Sequence, residues 1–96
     1  MRTFYIASSS KNIPAVRRLA ALLIDKGLEW KWDWTNEFDE RQTEDQDLIE
    51  RDLDAAVECD LFVFLDSEHH SIGAAMEYGA RLASSGYVHH IGFLGS

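Results

Sequence analysis

Residues 52–80 read DLDAAVECDLFVFLDSEHHSIGAAMEYGA, and this stretch is the most informative part of the chain. At its centre, the apolar run at residues 61–65 is bounded by polar residues, which is typical of a strand buried on both faces of a sheet. The Gly- and Ala-rich sequence that begins at Ile72 predicts a helix packed closely against that sheet. Glu77 then lies in the first turns of this helix, beside the carboxyl end of the strand, where open α/β sheets bind their ligands.

Strands and helices alternate upstream of this unit as well. Residues 3–7 have the composition of a strand, and Pro14 followed by an apolar repeat predicts a first helix that ends at Gly27. The repeat consists of Val16, Leu19, Ala20 and Leu23. Residues 28–34 alternate apolar and polar side chains, so we expect a strand with one wet face at an edge of the sheet.

A second helix follows an acidic connection, and four apolar residues form its predicted inner stripe: Ile49, Leu53, Ala56 and Val57. A third helix over residues 72–84 and a last strand over residues 87–93 complete the order βαβαβαβ. Right-handed crossovers then predict a small flavodoxin-like or Rossmann-like α/β domain of three layers, with a four-stranded parallel sheet in the order 2-1-3-4. Because 96 residues fit one domain, we expect residues 1–96 to form a single domain.

The composition excludes several classes of partner. Seventeen acidic against nine basic residues give a formal charge of −8, which opposes binding to nucleic acid and to an anionic membrane surface. The single cysteine, Cys59, excludes an internal disulfide and is interpreted as a small core residue. The N-terminus carries no apolar stretch long enough for a signal peptide or a membrane span, so we expect a cytoplasmic protein.

Several side chains that can carry out chemistry fall near the carboxyl ends of the predicted strands. Tyr5 leaves the first strand, Asp52 lies on the second helix, and Ser71 and Glu77 open the third. Two carboxylates that face one bond can cleave a glycosidic linkage, since one attacks the anomeric carbon and the other protonates the leaving group. The spacing alone also fits simpler roles, with Glu77 stabilising the helix dipole and Asp52 on a solvated helix face.

The tryptophans and histidines give weaker signals. Trp30, Trp32 and Trp34 would share one strand face as core residues, although Trp34 ends the strand at the crevice and is a candidate for stacking on a base. Two adjacent histidine pairs, His69-His70 and His89-His90, do not have the spacing of a zinc site, and neighbours on a strand point to opposite faces. We therefore predict no metal ion.

Three segments resemble the nucleoside 2-deoxyribosyltransferase superfamily. Residues 5–11 (YIASSSK) resemble the opening strand and loop of the family, residues 52–60 resemble its acidic helix, and residues 71–80 (SIGAAMEYGA) resemble its nucleophile motif. Within the superfamily the chain is most similar to the 2′-deoxynucleoside 5′-monophosphate N-glycosidases. The resemblance covers nearly the whole chain, and the nucleophile motif is its most specific part.

This resemblance implies a role for individual residues. Glu77 matches the nucleophile that takes the sugar at C1′, Asp52 matches the acid that assists departure of the base, and Tyr5 matches a tyrosine that positions the nucleophile. Ser71 matches the serine found in the monophosphate glycosidases, where the transferases place an acidic residue for the free 5′-hydroxyl. The other positions implied to bind the substrate are Ser9 and Lys11, both at the phosphate, and Gly73.

The implied activity is hydrolysis of a nucleoside 5′-monophosphate without a cofactor, with a small-molecule nucleotide or nucleoside as the only ligand. Two alternatives stay open at this point: a transferase in which a second base replaces water, and a non-catalytic nucleotide-binding or sensor module. The sequence ends at Ser96, whereas family members commonly continue through a further helix and strand that supply a residue to the neighbouring subunit. We therefore expect a truncated version of the fold and a homodimer that covers the open sheet edge.

Overall fold

The computed structural model describes residues 2–36, 46–66, 72–84 and 88–91, so Ser71 and the pair His69-His70 lie outside the described residues. Four strands and three α-helices alternate along this part of the chain. The strands are β1 (Thr3–Ala7), β2 (Glu29–Trp30), β3 (Leu61–Leu65) and β4 (His89–Ile91), and the helices are α1 (Ile13–Asp25), α2 (Gln46–Glu58) and α3 (Ile72–Ser84). The α/β class predicted from the sequence is confirmed.

The three longer strands form a parallel sheet in which β3 pairs with β1 on one side and with β4 on the other. The two-residue strand β2 pairs in parallel with the far side of β1, which gives the order β2-β1-β3-β4. With right-handed crossovers, α1 lies on one face of this sheet, whereas α2 and α3 lie on the other and pack against each other. None of the helices in the described ranges is long and apolar enough to cross a membrane.

The first helix follows the predicted pattern. Pro14 occupies its first turn, Val16 and Ala20 are buried, and Gly27 reverses the chain with a φ of 95°, a conformation that L side chains rarely adopt. Leu19 and Leu23 are half-buried and pack against the same core. The bounds of β1, β3 and α3 also agree with the sequence pattern. His89–Ile91 of the predicted last strand is a strand, whereas residues 87, 92 and 93 lie outside the described residues.

The inner face of α2 differs from the predicted stripe. Ala56 is buried as predicted, whereas Val57 is 37% exposed, so its assignment to that stripe was wrong; the side chain of Ile49 lies outside the described part. Among residues 50–59 the buried ones are Ala55, Ala56 and Cys59, the last directly after the helix. These positions belong to an i, i+3, i+4, i+7 series that starts at Asp52. Asp52 therefore lies on the inner side of α2, which the polarity pattern alone assigned to solvent.

The predicted strand over residues 28–34 was too long, because β2 ends at Trp30. The last backbone bond between the two strands joins the Lys31 N–H to the Phe4 carbonyl at 2.8 Å. The tryptophan rings therefore do not share one face: the Trp30 ring stacks on Phe4, and the Trp32 ring lies under the Arg51 guanidinium of α2. Instead of the predicted strand with its tryptophans on one face, the structure has a short β2 followed by a turn.

Candidate active site

The order of the strands fixes where a ligand site is expected. The chain leaves β1 through α1 toward β2, and it leaves β3 through α3 toward β4, on the opposite side. The connections diverge between β1 and β3, and ligands of open α/β sheets bind in the crevice outside the carboxyl ends of strands at such a switch point. The loop that follows β1 and the helix that follows β3 therefore border the candidate site.

Tyr5 and Glu77 meet under this crevice. The Tyr5 hydroxyl donates a hydrogen bond of 3.0 Å to Oε1 of Glu77, and both side chains are buried. Tyr5 stacks on Phe62 of β3, which fixes the phenol ring on the face of the sheet that α3 covers. Tyr78, the next residue of α3, packs edge-on against Phe64, so the helix is held against the sheet where Glu77 leaves it.

Asp52 is the third residue that the sequence assigned to this site. Burial raises the pKa of Tyr5 well above its ordinary value of about 10, and the negative charges of Glu77 and Asp52 raise it further. Asp52 lies on the inner side of α2, which packs against both β1 and α3, and its Oδ1 atom is buried. Its carboxyl group is therefore on the same side of the sheet as Tyr5 and Glu77. The structure thus brings together the three residues that the sequence assigned to catalysis.

This arrangement has a definite chemical character. Tyr5 remains protonated throughout the physiological pH range, so it is a permanent donor to Glu77. A donated hydrogen bond favours the ionised form of a carboxyl group, and it fixes the orientation of that group. Two neighbouring carboxyl groups then offer a nucleophile and a proton donor at one place.

The serine loop, residues 8–12, follows β1 and borders the same switch point. Ser9 is buried, and its Oγ accepts a hydrogen bond of 3.2 Å from the Lys11 N–H at the start of a short 3₁₀-helix, Ser10–Asn12. Lys11 itself is exposed on this turn. Both residues predicted to contact a phosphate therefore lie in the loop that follows β1, beside the switch point.

The remaining predicted substrate positions are placed as follows. Gly73 is half-buried in the first turn of α3. Trp34 is only 5% exposed, and its indole N–H donates a hydrogen bond of 2.7 Å to the Ile6 carbonyl near the carboxyl end of β1. This bond ties Trp34 to the sheet and gives it a structural role, while its stacking on a base stays a prediction. The role of Ser71 also stays a prediction.

Sequence reasoning missed two polar residues of the serine loop, Ser8 and Asn12, and one buried charged residue of α3, Arg81. Ser8 is one of three consecutive serines, and nothing in the sequence sets it apart from Ser9 and Ser10. The burial of Arg81 could have been predicted from the sequence, because Arg81 lies four residues after Glu77 and so shares the buried face of α3. A cation on a core face needs acceptors, and this one finds carbonyl groups at the end of α2.

In the described part of the chain, no group of three or more His, Cys, Asp or Glu side chains is placed to hold a metal ion. Comparisons with protein-family models, with curated proteins and with solved structures gave no match to this chain. The functional interpretation therefore depends on the geometry of the crevice and on the sequence resemblance.

Proposed function

We propose that this chain is an N-glycosidase that hydrolyses a 2′-deoxynucleoside 5′-monophosphate to free base and sugar 5-phosphate. The observation that carries the proposal is the buried hydrogen bond between Tyr5 and Glu77, with the Asp52 carboxyl group close to it. A glycosidic bond is cleaved by a pair of carboxyl groups, and the buried Tyr5 hydroxyl, whose pKa is raised, donates a hydrogen bond to one of them.

In the proposed reaction, the Glu77 oxygen that is not held by Tyr5 attacks C1′ of the sugar. The bond between C1′ and the base nitrogen breaks, the electron pair leaves with the base, and Asp52 supplies a proton to that base. Water then attacks C1′ of the glycosyl ester, Asp52 takes one proton from this water, and the Glu77 carboxylate is released. Two displacements at C1′ retain its configuration.

The 5′-phosphate would bind at the serine loop. The Ser9 hydroxyl, the backbone N–H groups of the loop and the Lys11 ammonium are the kinds of donor that hold phosphate oxygens. Such local donors are necessary because the whole chain is acidic. The fold that would present them is the flavodoxin-like sheet of four parallel strands, and the domain would act in the cytoplasm without a cofactor.

The direct test is release of free base from a panel of nucleoside 5′-monophosphates and free nucleosides, followed by chromatography. We expect the wild-type protein to release base from a 2′-deoxy monophosphate, and Glu77→Gln to reduce the rate by several powers of ten. The control is Glu29→Gln, which makes the same chemical change on the exposed surface of β2. A folded Glu77→Gln protein with wild-type activity would contradict the covalent mechanism.

Asp52 is tested separately through the leaving group. Asp52→Asn should slow natural nucleotides strongly and substrates with activated leaving groups much less, because only poor leaving groups need the proton. Asp54→Asn is the matched control, since Asp54 is exposed two residues away on the same helix. Base exchange faster than hydrolysis would favour the transferase, and specific nucleotide binding without turnover would favour a sensor module.

We also propose that the protein is a homodimer that pairs through α3. An exposed, uncharged stripe runs along this helix: Ala75, Met76, Gly79, Leu82 and Ala83. Met76 and Leu82 are 50% and 44% exposed, and the stripe is symmetric in sequence about Gly79. A Cβ atom on Gly79 would meet no described atom within 4 Å, so the packing of the described residues does not explain a glycine that weakens the helix.

A second copy fits this surface because two antiparallel α3 helices crossing at Gly79 would place Met76 against Leu82 and Ala75 against Ala83. The absence of charge on the stripe lets two acidic chains approach there without repulsion. Light scattering after size exclusion should show a dimer for the wild type and a monomer for Leu82→Glu. The control Leu22→Glu, on the exposed side of α1, should remain dimeric, and a monomeric wild type would contradict the proposal.

A further inference from the structure

The carboxyl end of β1 is bonded to its neighbours through side chains. On the side of β2, the Ile6 carbonyl accepts the Trp34 indole N–H at 2.7 Å. On the side of β3, the Ser8 hydroxyl donates to the Leu65 carbonyl at 2.7 Å, one residue beyond the last backbone pairing of the two strands. Because side chains satisfy these carbonyl groups, the backbones need not remain paired, and the crevice can open where the strands end.

Ser8 is the junction of this arrangement. Its hydroxyl has one proton, which it donates to Leu65, so its oxygen is an acceptor for the Asn12 Nδ2 group at 3.1 Å. A backbone bond of 2.9 Å from the Asn12 N–H to the Ser9 carbonyl closes the same loop. Asn12 and Ser8 therefore fasten the serine loop to the end of β3, across the switch point.

Ser9 lies inside this fastened segment. It is buried, and its Oγ accepts the Lys11 N–H through a lone pair, so that bond does not use the hydroxyl proton. A donor with a fixed oxygen atom loses little conformational freedom when an anion binds to it, which increases affinity. The position of the Ser9 oxygen depends on the loop, and the position of the loop depends on Ser8 and Asn12.

We propose that Ser8 and Asn12 are positioning residues that hold the serine loop ready for the phosphate group of the substrate. They act through Ser9 and Lys11 and do not themselves contact the substrate. The inference extends the proposed function, because it says which residues give that site its affinity for a phosphate. It predicts that loss of either residue weakens phosphate binding and leaves the chemical step nearly unchanged.

The experiment compares wild type, Asn12→Ala and Ser8→Ala. Calorimetric titration with ribose 5-phosphate should give a Kd that is raised about tenfold to a hundredfold in both variants, the equivalent of one charge-assisted hydrogen bond. KM for the monophosphate should rise by a similar factor while kcat changes less than about threefold. Turnover of the free nucleoside should be unaffected, and a general structural defect would not produce this selectivity.

Matched controls make the same chemical changes elsewhere. Ser84→Ala removes an exposed serine whose hydroxyl also donates to a backbone carbonyl, that of Arg81, and Asn36→Ala removes an exposed asparagine. Both should bind ribose 5-phosphate like the wild type. Asn12 is only half-buried, so its alanine variant is the one expected to fold even if Ser8→Ala does not.

The outcomes separate this inference from the proposed function. Wild-type protein that binds ribose 5-phosphate in an Asn12-dependent manner but releases no base would refute the glycosidase and support the positioning role. Unchanged affinity in the folded variants would refute the positioning role, whatever the activity. Equal losses with monophosphate and free nucleoside, or a wild type that does not bind ribose 5-phosphate, would also refute it.

Discussion

Replacing Arg81 should destabilise the protein strongly, because this buried side chain joins α2 to α3. Its Nη1 group donates to the carbonyls of Cys59 at 2.6 Å, Val57 at 3.0 Å and Ala56 at 3.3 Å, and Nη2 donates to the Asp60 carbonyl at 3.4 Å. These carbonyls lie at the C-terminal end of α2 and just beyond it, where a helix has unpaired acceptors and a partial negative charge. Arg81 is thus a cationic cap supplied by a neighbouring helix.

The size of the effect follows from the two shortest bonds. A hydrogen bond to a charged group contributes roughly 1.5–3 kcal/mol, so loss of two of them gives about 3–6 kcal/mol. Water that reaches the exposed end of α2 will satisfy part of what Arg81→Ala removes, and we therefore expect about 3 kcal/mol. Total unfolding free energies of small domains are about 5–15 kcal/mol, so this is a large fraction. Arg81→Lys keeps the charge and should lose about half as much.

Urea unfolding followed by tryptophan fluorescence measures the change. With a denaturant dependence of about 1–1.5 kcal/mol per molar urea, a loss of 3 kcal/mol lowers the midpoint by about 2–3 M. Arg18→Ala, on the exposed side of α1, is the control and should change stability by less than about 0.5 kcal/mol. If Arg81→Ala costs less than about 1 kcal/mol, the contacts with α2 do not stabilise the fold and this reasoning is wrong.

Two further predictions concern residues that contact or belong to β1. Trp34→Phe should lower the free energy of unfolding in urea by about 1–3 kcal/mol, because the buried Ile6 carbonyl loses its donor. Trp32→Phe should cost less, since the Trp32 indole N–H has no hydrogen-bond partner among the described residues. Equal losses in the two variants would contradict this prediction. Above about pH 10, the wild type should lose stability relative to Tyr5→Phe. The tyrosine ionises there in the unfolded chain, whereas burial raises the pKa of Tyr5 in the folded protein and keeps it protonated. Identical dependence of stability on pH in the two proteins would contradict this prediction.

The elements that the sequence predicted well are those specified by neighbouring residues. The apolar run at residues 61–65 requires a buried strand, and Pro14 and Gly27 mark both ends of α1 without reference to any distant contact. The bounds of α3 were also predicted, because an apolar helical repeat continues from Ile72 to Ser84. In each case the local pattern and the tertiary environment favour the same structure.

The errors occur where a distant contact overrides the local pattern. Residues 28–34 alternate as a strand should, yet the Trp34 indole takes the place of a backbone donor at Ile6, and β2 stops early. The bond between Ser8 and Leu65 joins residues 57 positions apart, which no local pattern indicates. The inner position of Asp52 was expected from the resemblance alone, since the polarity of the helix by itself would place this residue on the surface.

Tyr5 and Glu77 occupy positions where apolar residues would fill the same space between α3 and the sheet. A buried polar pair adds little to stability compared with well-packed apolar side chains, and replacing such a group with residues of similar volume is often neutral or stabilising. The double variant Tyr5→Phe/Glu77→Met should therefore unfold at a urea concentration equal to or above that of the wild type. Tyr5→Phe alone should be less stable than the double variant, because it leaves the buried Glu77 carboxylate without its tyrosine donor.

The same double variant should have no detectable base release, so that stability and activity change in opposite directions. This result would mean that the pair is kept for chemistry, since the fold would be at least as stable without it. Urea midpoints and base release measured on the wild type, both single variants and the double variant form a complete cycle, which isolates the coupling between the two residues. A double variant that loses more than about 2 kcal/mol would instead show that Tyr5 and Glu77 are needed to hold α3 on the sheet, and the buried pair could then no longer be taken as a sign of catalysis.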